Sequence, residues 1–105
     1  VISICMENKQ KLQTLYDQVR DLGVVKTQYE FGVLCGRDKS WLSSCKANDR
    51  DASVGALLIL VRNLDRMQET AIEKSRRADA RNLVSEIWSR IDQRALSKKH
   101  QDVNN

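Results

Sequence analysis

The side chains that most often carry catalysis or hold metals are scarce in this chain of 105 residues. The one histidine, His100, lies in a polar stretch near the C-terminal end, and no pair of carboxylates falls on an apolar helical face. General acid–base catalysis needs such groups in a pocket, and a nucleophilic Ser or Cys needs a neighbouring base. The sequence therefore predicts neither an enzyme nor a metal site, and it implies no cofactor.

Three cysteines, Cys5, Cys35 and Cys45, lack the spacing of a paired metal or redox motif. Cys35 and Cys45 fall on the inward positions of predicted helices, so we expect them to be small core residues, with a redox switch as the alternative. The first residues show no signal-peptide pattern. Reduced thiols in a cytoplasmic protein are the simplest interpretation.

Composition favours an all-helical fold. The chain contains no Pro, the strongest helix breaker, and its length suits one compact domain. Its longest apolar stretch, residues 56–61, is far shorter than the ~20 residues that cross a bilayer, so no membrane partner is expected. The net charge of +4 is unevenly distributed, because residues 1–61 carry eight basic and seven acidic side chains. This mildly basic balance permits a nucleic-acid partner without requiring one.

Apolar spacing and capping residues predict the first two helices. Residues 9–22 place five apolar side chains on one helical face, and Gly23 follows where a helix commonly ends. Thr27 is a good N-cap, and Glu30, three residues later, completes a capping box. A short second helix is therefore predicted over residues 28–35.

The remaining helices follow from the same signals. Gly36 ends the second helix, Asp38 or Ser40 can cap a third, and Ser53 caps a fourth. Nothing interrupts the helical pattern over residues 66–98, which predicts one long C-terminal helix.

These signals divide the chain into four segments. A flexible N-terminal extension covers residues 1–8, since Met6 with the polar residues after it resembles a natural start. A helical domain follows over residues 9–65 and the long helix over residues 66–98. Residues 99–105 are expected to be a disordered tail.

The predicted long helix changes character along its length. Its first part, up to residue 82, is mostly polar, and an apolar stripe with steps of three and four follows. The stripe consists of Leu83, Val84, Ile87, Trp88 and Ile91. It could fold back on the domain, but we favour a dimer interface, because Trp among aliphatic side chains is the type of cluster that anchors interfaces. We therefore predict a projecting helix and a homodimer.

Two short predicted helices joined by a turn carry the most specific pattern. Gly32 lies four residues before Gly36, which suits a small residue at a helix crossing followed by a turn glycine with positive φ. Leu42 and Cys45 then fall where the second of these helices points back into the core. This pattern resembles the phage-repressor and Cro-like (Xre-type) helix-turn-helix family, and the resemblance covers residues 9–65. Gly32 stands where that family usually has Ala, and Arg37 where an apolar residue is usual.

The resemblance implies an all-α bundle of four to five helices that reads DNA in the major groove through a recognition helix at about residues 39–46. The side chains expected at the DNA are Gln28, Arg37, Lys39, Ser40, Trp41, Ser43, Ser44 and Lys46. In the family, a Gln at the position of Gln28 binds a backbone phosphate, and outward-facing residues such as Lys39 read base edges. Trp41 either presses on a sugar or thymine methyl, or packs against Ala56 and Leu60.

Two functions follow as hypotheses. The first is a sequence-specific, DNA-binding transcription regulator that acts as a homodimer on double-stranded DNA. The alternative is a protein-interaction module, an antiactivator or adaptor, that keeps the helix-turn-helix fold but binds another regulatory protein. The near-neutral charge of residues 1–61 motivates the alternative, because DNA affinity comes largely from neutralised phosphates.

Overall fold

A computed structural model describes the backbone of residues 7–68 and 70–104 and the side chains of residues 10–68 and 70–96. No strand occurs in the described residues, and a 3-10 turn at Lys74–Arg76 precedes the last helix. The predicted all-α bundle with a long C-terminal helix is confirmed. Its helices are α1 (Glu7–Asp21), α2 (Gln28–Leu34), α3 (Trp41–Ala47), α4 (Val54–Met67) and α5 (Arg77–Asn104).

The predicted caps of α2 and α4 are formed by side chains. The Thr27 hydroxyl accepts a hydrogen bond from the Glu30 amide at 3.2 Å, and the Ser53 hydroxyl accepts one from the Ala56 amide at 3.2 Å. The Glu30 carboxylate reaches back one residue further than in the usual capping box, to the Lys26 amide at 2.7 Å. Each cap satisfies amides that a helix N-terminus leaves unpaired.

The predicted uninterrupted helix from residue 66 is wrong at its start. Helix α4 continues through Met67, and residues 68–73 with the 3-10 turn separate it from α5. The Met67 carbonyl oxygen accepts hydrogen bonds from the amides of Ala71 (2.9 Å) and Ile72 (3.1 Å), so the chain turns there. Ile72 is buried, and its burial offsets the loss of helical hydrogen bonds. No Gly or Pro marks this break.

The two ends also differ from expectation. Helix α5 continues through Asn104, where a disordered tail over residues 99–105 was expected. Helix α1 begins at Glu7, so the last two residues of the expected extension over residues 1–8 are helical. Residues 1–6 lie outside the described part of the chain.

The core is a single cluster to which all five helices contribute. Helix α5 packs against α4, and α3 packs against both α1 and α2. The apolar stripe of α5 belongs to this core, because Leu83, Val84, Ile87 and Ile91 are each at most 9% exposed. The structure thus corrects the predicted dimer interface: four of its five residues are buried within their own chain, and only Trp88, 42% exposed, faces outward.

The predicted projecting helix is wrong for the same reason. An amphipathic helix buries its apolar side wherever a complementary surface lies within reach, and the break after Met67 brings α4 within reach of α5. None of the described helices is long and apolar enough to span a membrane.

Candidate nucleic-acid interface

Helices α2 and α3 approach each other closely at Gly32. A Cβ atom added to Gly32 would lie 2.5 Å from the carbonyl oxygen of Asp38 and 3.8 Å from the Cβ of Trp41. The first distance is far below van der Waals contact, so any larger side chain would push the connection away from α2. The absence of a side chain at Gly32 therefore sets how closely α3 follows α2.

The connection leaves α2 through a left-handed glycine. Gly36 has a φ of +74°, and the amides of Gly36 and Arg37 donate to the carbonyl oxygens of Val33 (2.9 Å) and Gly32 (2.8 Å). These two bonds form a Schellman C-cap, in which glycine is favoured because a Cβ atom is strained at positive φ. A Cβ atom at Gly36 would also lie 2.7 Å from Cδ1 of Ile59 on α4. The turn glycine predicted from spacing thus directs the chain towards α3.

Helix α3 divides its side chains between the core and the solvent. Leu42 and Cys45 are buried, as predicted. The predicted base-reading residues are all exposed, namely Lys39, Ser40, Ser43 and Ser44. The helix begins at Trp41, so Lys39 and Ser40 lie in the turn before it rather than in its first turn. The Asp38 carboxylate holds that turn, accepting bonds from the amide and the hydroxyl of Ser40 at 3.0 Å each.

Gln28 and Ser43 lie side by side. The Ser43 hydroxyl donates to Oε1 of Gln28 at 3.3 Å, across the two helices. The predicted phosphate-binding residue at the start of α2 is therefore adjacent to a predicted base-reading residue of α3. This contact connects the two halves of the candidate interface.

The two flanking cations make contacts within the chain. Arg37 donates from Nη2 to the Ser53 hydroxyl at 3.0 Å, next to the start of α4. Lys46 is half-buried and donates from Nζ to Oε1 of Gln13 on α1. Arg37 remains exposed and lies at the edge of the candidate interface, whereas Lys46 is partly withdrawn from solvent. Of the two, Arg37 is therefore better exposed for contact with a phosphate.

Trp41 packs within the part of the fold formed by helices α1 to α4, named here the head. Its ring centroid lies 6.2 Å from that of Phe31, with the planes tilted by 31°, and Phe31 in turn contacts the edge of Tyr16 at 5.6 Å. Trp41 is half-buried against the core, in keeping with the packing alternative. Its aromatic partner, Phe31, lies on α2.

An ion-pair cluster that the sequence did not reveal joins the α3–α4 connection to α5. Nη2 of Arg90 lies 2.9 Å and 3.2 Å from the two carboxylate oxygens of Asp51, whose side chain is 16% exposed. Arg94 donates to the carbonyl oxygen of Ala52 and lies 4.0 Å from Asp51. Residues about forty positions apart form this contact, so no local sequence signal could have predicted it. The acid at position 51 is therefore paired within the chain.

An open groove of about 490 Å³ between α2 and α4 was also missed. Its walls include Val24, Met67 and two apolar residues of α2 four positions apart, Tyr29 and Val33. The last two are 60% and 59% exposed, so the solvent side of α2 carries an apolar pair beside the exposed Glu30. The i, i+4 spacing of Tyr29 and Val33 indicates that they share one side of α2. The other side of this helix is also apolar, so the sequence does not show which side faces solvent.

The two cysteines among the described residues, Cys35 and Cys45, are buried. Burial raises the pKa of the Cys35 thiol to about 12 and also raises the pKa of Cys45. Both therefore stay protonated near neutral pH, and their burial confirms the predicted core positions. Among the side chains described, those of residues 10–68 and 70–96, no group of three His, Cys, Asp or Glu residues could hold a metal ion.

Comparison with known proteins places the chain in a family whose function is unknown. Searches of the curated proteins and of the solved structures returned no match. One family, described as a family of unknown function (DUF6626), matches residues 12–104, which include most of α1 and all of α2, α3, α4 and α5. The match covers most of the chain, and the protein therefore belongs to the DUF6626 family.

Proposed function

We propose that the protein is a sequence-specific, DNA-binding transcription regulator that acts as a homodimer. The observation that carries the proposal is the exposed face of α3 and the turn before it. This face carries Lys39, Ser40, Ser43 and Ser44, and it adjoins Gln28. Short polar side chains let a helix backbone approach base edges closely, and Lys39 can donate to guanine O6 or N7 in the major groove.

The geometry of α2 and α3 supports this assignment. The crossing at Gly32 and the C-cap at Gly36 hold α3 on α2 through backbone contacts, so its outward face needs no side chain for packing. A rigid helix with a free polar face is the element that helix-turn-helix proteins insert into the major groove. Within the proposal, Gln28 and Arg37 contact the DNA backbone on either side of that helix.

Charge sets the expected strength of binding. Residues 1–61 carry a net charge of +1, and Asp38 lies beside the proposed reading face. Few phosphates are then neutralised by each subunit, so we expect modest affinity per head and a shallow dependence on salt concentration. Two heads in a homodimer would raise the affinity through simultaneous binding of two half-sites.

Selection from a pool of random double-stranded DNA, followed by fluorescence anisotropy on the enriched sites, tests the proposal. We expect a consensus sequence to emerge from the wild-type protein. Lys39→Ala should relax base preference at one position by about 1–3 kcal/mol. Gln28→Ala should weaken all enriched sites alike, because a phosphate contact carries no sequence information.

Arg62→Ala provides a matched control, since Arg62 is exposed on α4 and lies outside the proposed face. It should leave both affinity and base preference unchanged. Failure to enrich any sequence, or equal effects of the Arg62 and Lys39 substitutions, would refute DNA reading by this face.

The groove between α2 and α4 favours a second candidate function, the binding of another regulatory protein. Tyr29 and Val33 form an exposed apolar pair of the type that anchors protein interfaces. Under this alternative, Tyr29→Ala abolishes copurification of a stoichiometric protein partner, while Ser43→Ala, on the reading face but outside the groove, has no effect. The opposite pattern, with DNA enrichment unaffected by Tyr29→Ala, favours DNA reading.

A further inference from the structure

The outer side of α5 carries a pattern that is complementary to itself. At about 100° per residue, Arg81 and Asp92 lie within about 40° of Trp88 around the helix. All three are exposed, together with the small residues Ser85 and Ala95 on the same side. We infer that this side, named here the Trp88 face, is the contact surface for a second copy of the chain in an antiparallel α5–α5 dimer.

The Trp88 face points away from the rest of the molecule. The clefts between α1 and α5 are lined by Asn82, Glu86 and Gln93, which lie about 120–160° from Trp88 around the helix. The buried residues Val84 and Ile91 lie on the other flank of Trp88, against the core. The Trp88 face is therefore open to an approaching helix along its length.

The order of residues along the face specifies the orientation. Three pairs of positions are symmetric about the point between residues 86 and 87: 78 with 95, 81 with 92, and 85 with 88. In an antiparallel dimer with its two-fold axis at that point, each residue lies opposite its symmetry mate in the second copy. Arg81 then meets Asp92, Trp88 meets Ser85, and Ala78 meets Ala95.

In this register the opposing side chains are complementary in both charge and size. Within the described part of the chain, neither Arg81 nor Asp92 has an ion-pair or hydrogen-bond partner, so both are available to a second copy. The exposed ring of Trp88 faces a serine, which leaves room for it, and alanines at both ends allow the helices to approach closely. A parallel arrangement would place Arg81 beside Arg81 and Asp92 beside Asp92, so like charges oppose it.

The expected dimer is weak. The face spans residues 78–96, about 28 Å of helix, and a single helix pair of this length buries less than the ~800 Å² per partner of a standard interface. Trp88 supplies most of the buried apolar surface, and the Arg81–Asp92 pairs select the register. The inference rests on the homodimer of the proposed function and replaces the interface that the sequence predicted.

Sedimentation equilibrium of the full chain without DNA, over a series of protein concentrations, tests the surface independently of DNA binding. We expect a reversible monomer–dimer equilibrium. Each dimer contains the ion pair twice, so Arg81→Glu or Asp92→Arg should weaken the dimer by at least about tenfold at low salt. The combined variant reverses both charges, restores opposite pairing and should return the dissociation constant close to that of the wild type.

Trp88→Ala should weaken the dimer more, by about a hundredfold, because two copies of the largest apolar contact are lost. Arg62→Glu, a charge reversal on α4, serves as the control and should have no effect. Circular dichroism verifies that each variant keeps its helical content.

A wild-type chain that stays monomeric at every concentration would overturn the inference. So would a dimer that is indifferent to single reversals, or a folded double variant that fails to recover. Loss of DNA selection with an intact dimer would instead count against the proposed reading face alone, so the two failures are distinguishable.

Discussion

The α2–α3 pair and α5 are held in place by different kinds of contact. Helix α3 is positioned by backbone approach at Gly32, by the C-cap at Gly36 and by burial of Leu42 and Cys45, so its outer face makes no packing contacts. Helix α5 is positioned by the burial of a long apolar side, which leaves the Trp88 face exposed. A short helix that needs only two buried side chains besides its backbone contacts keeps a polar outer surface, whereas a long helix that buries a whole apolar side keeps a smaller share of its surface for other contacts.

The largest effect on stability is expected from the loss of a core side chain of α5. Ile87 is 1% exposed, so Ile87→Ala should lower the free energy of unfolding by about 2–5 kcal/mol, through lost burial and the cavity left behind. Urea unfolding at several protein concentrations measures this, and the loss should not depend on concentration. Ser89→Ala, on the exposed side, should change stability by less than about 0.5 kcal/mol. If the loss of unfolding free energy depended on protein concentration, the apolar stripe of α5 would lie in a subunit interface instead.

The next test adds one methyl group to the α2–α3 crossing. Gly32→Ala should destabilise the protein by about 1–3 kcal/mol, because the new Cβ atom would overlap the Asp38 carbonyl oxygen. Gly55→Ala on α4 is the matched control, since a Cβ atom there would have no neighbour closer than 3.7 Å. It should stabilise the helix by about 0.5–1 kcal/mol. Equal effects of the two substitutions would show that the crossing does not depend on the missing side chain.

A smaller effect is expected where the head meets α5. Asp51→Asn removes the charge that faces Arg90 and should cost about 1 kcal/mol, because the pair is largely shielded from water. Asp17→Asn breaks the exposed pair with Arg20, at 3.4 Å, and should cost only a few tenths of a kcal/mol. A double-mutant cycle of Asp51 with Arg90 measures the coupling. A coupling energy near zero would mean that the Asp51–Arg90 pair does not help to join the head to α5.

The smallest expected effect is a pH dependence at the end of α2. Burial raises the pKa of Cys35 from 9.0 to about 12, so the unfolded chain ionises first as pH rises. The stabilising contribution is complete well below pH 9, begins to decline as the pH approaches 9 and is lost by about pH 12. Between pH 7 and pH 9 the wild type should lose about 0.4 kcal/mol more of its unfolding free energy than Cys35→Ala does. Equal pH slopes for the two proteins would indicate that the thiol is not desolvated.

Features that depend on near neighbours in the chain could be predicted. The capping residues Thr27 and Ser53 and the positive φ of Gly36 involve groups within four residues of one another, so composition and spacing were sufficient. The division of α3 into buried Leu42 and Cys45 and exposed serines followed from helical periodicity. Most of the candidate reading face could therefore be recognised in the sequence.

Features that depend on distant groups could not. The break after Met67 carries no Gly or Pro, and it forms because Ile72 can be buried against the rest of the fold. The apolar stripe of α5 has the same spacing whether it meets its own chain or another, so periodicity alone left its partner open. The Asp51–Arg90 pair joins residues 39 positions apart and has no local signal.

By itself the sequence determined the helical class, the starts of α2 and α4 and the turn glycines, because capping and backbone conformation are local properties of residue type. Only the tertiary structure decided which apolar surface covers which. Burial is non-directional and depends on the surfaces that the whole chain brings together. In the folded chain, the core therefore contains four of the residues predicted for a subunit interface, Leu83, Val84, Ile87 and Ile91. Trp88 remains on the outside of α5, as the centre of the surface we assign to a second copy.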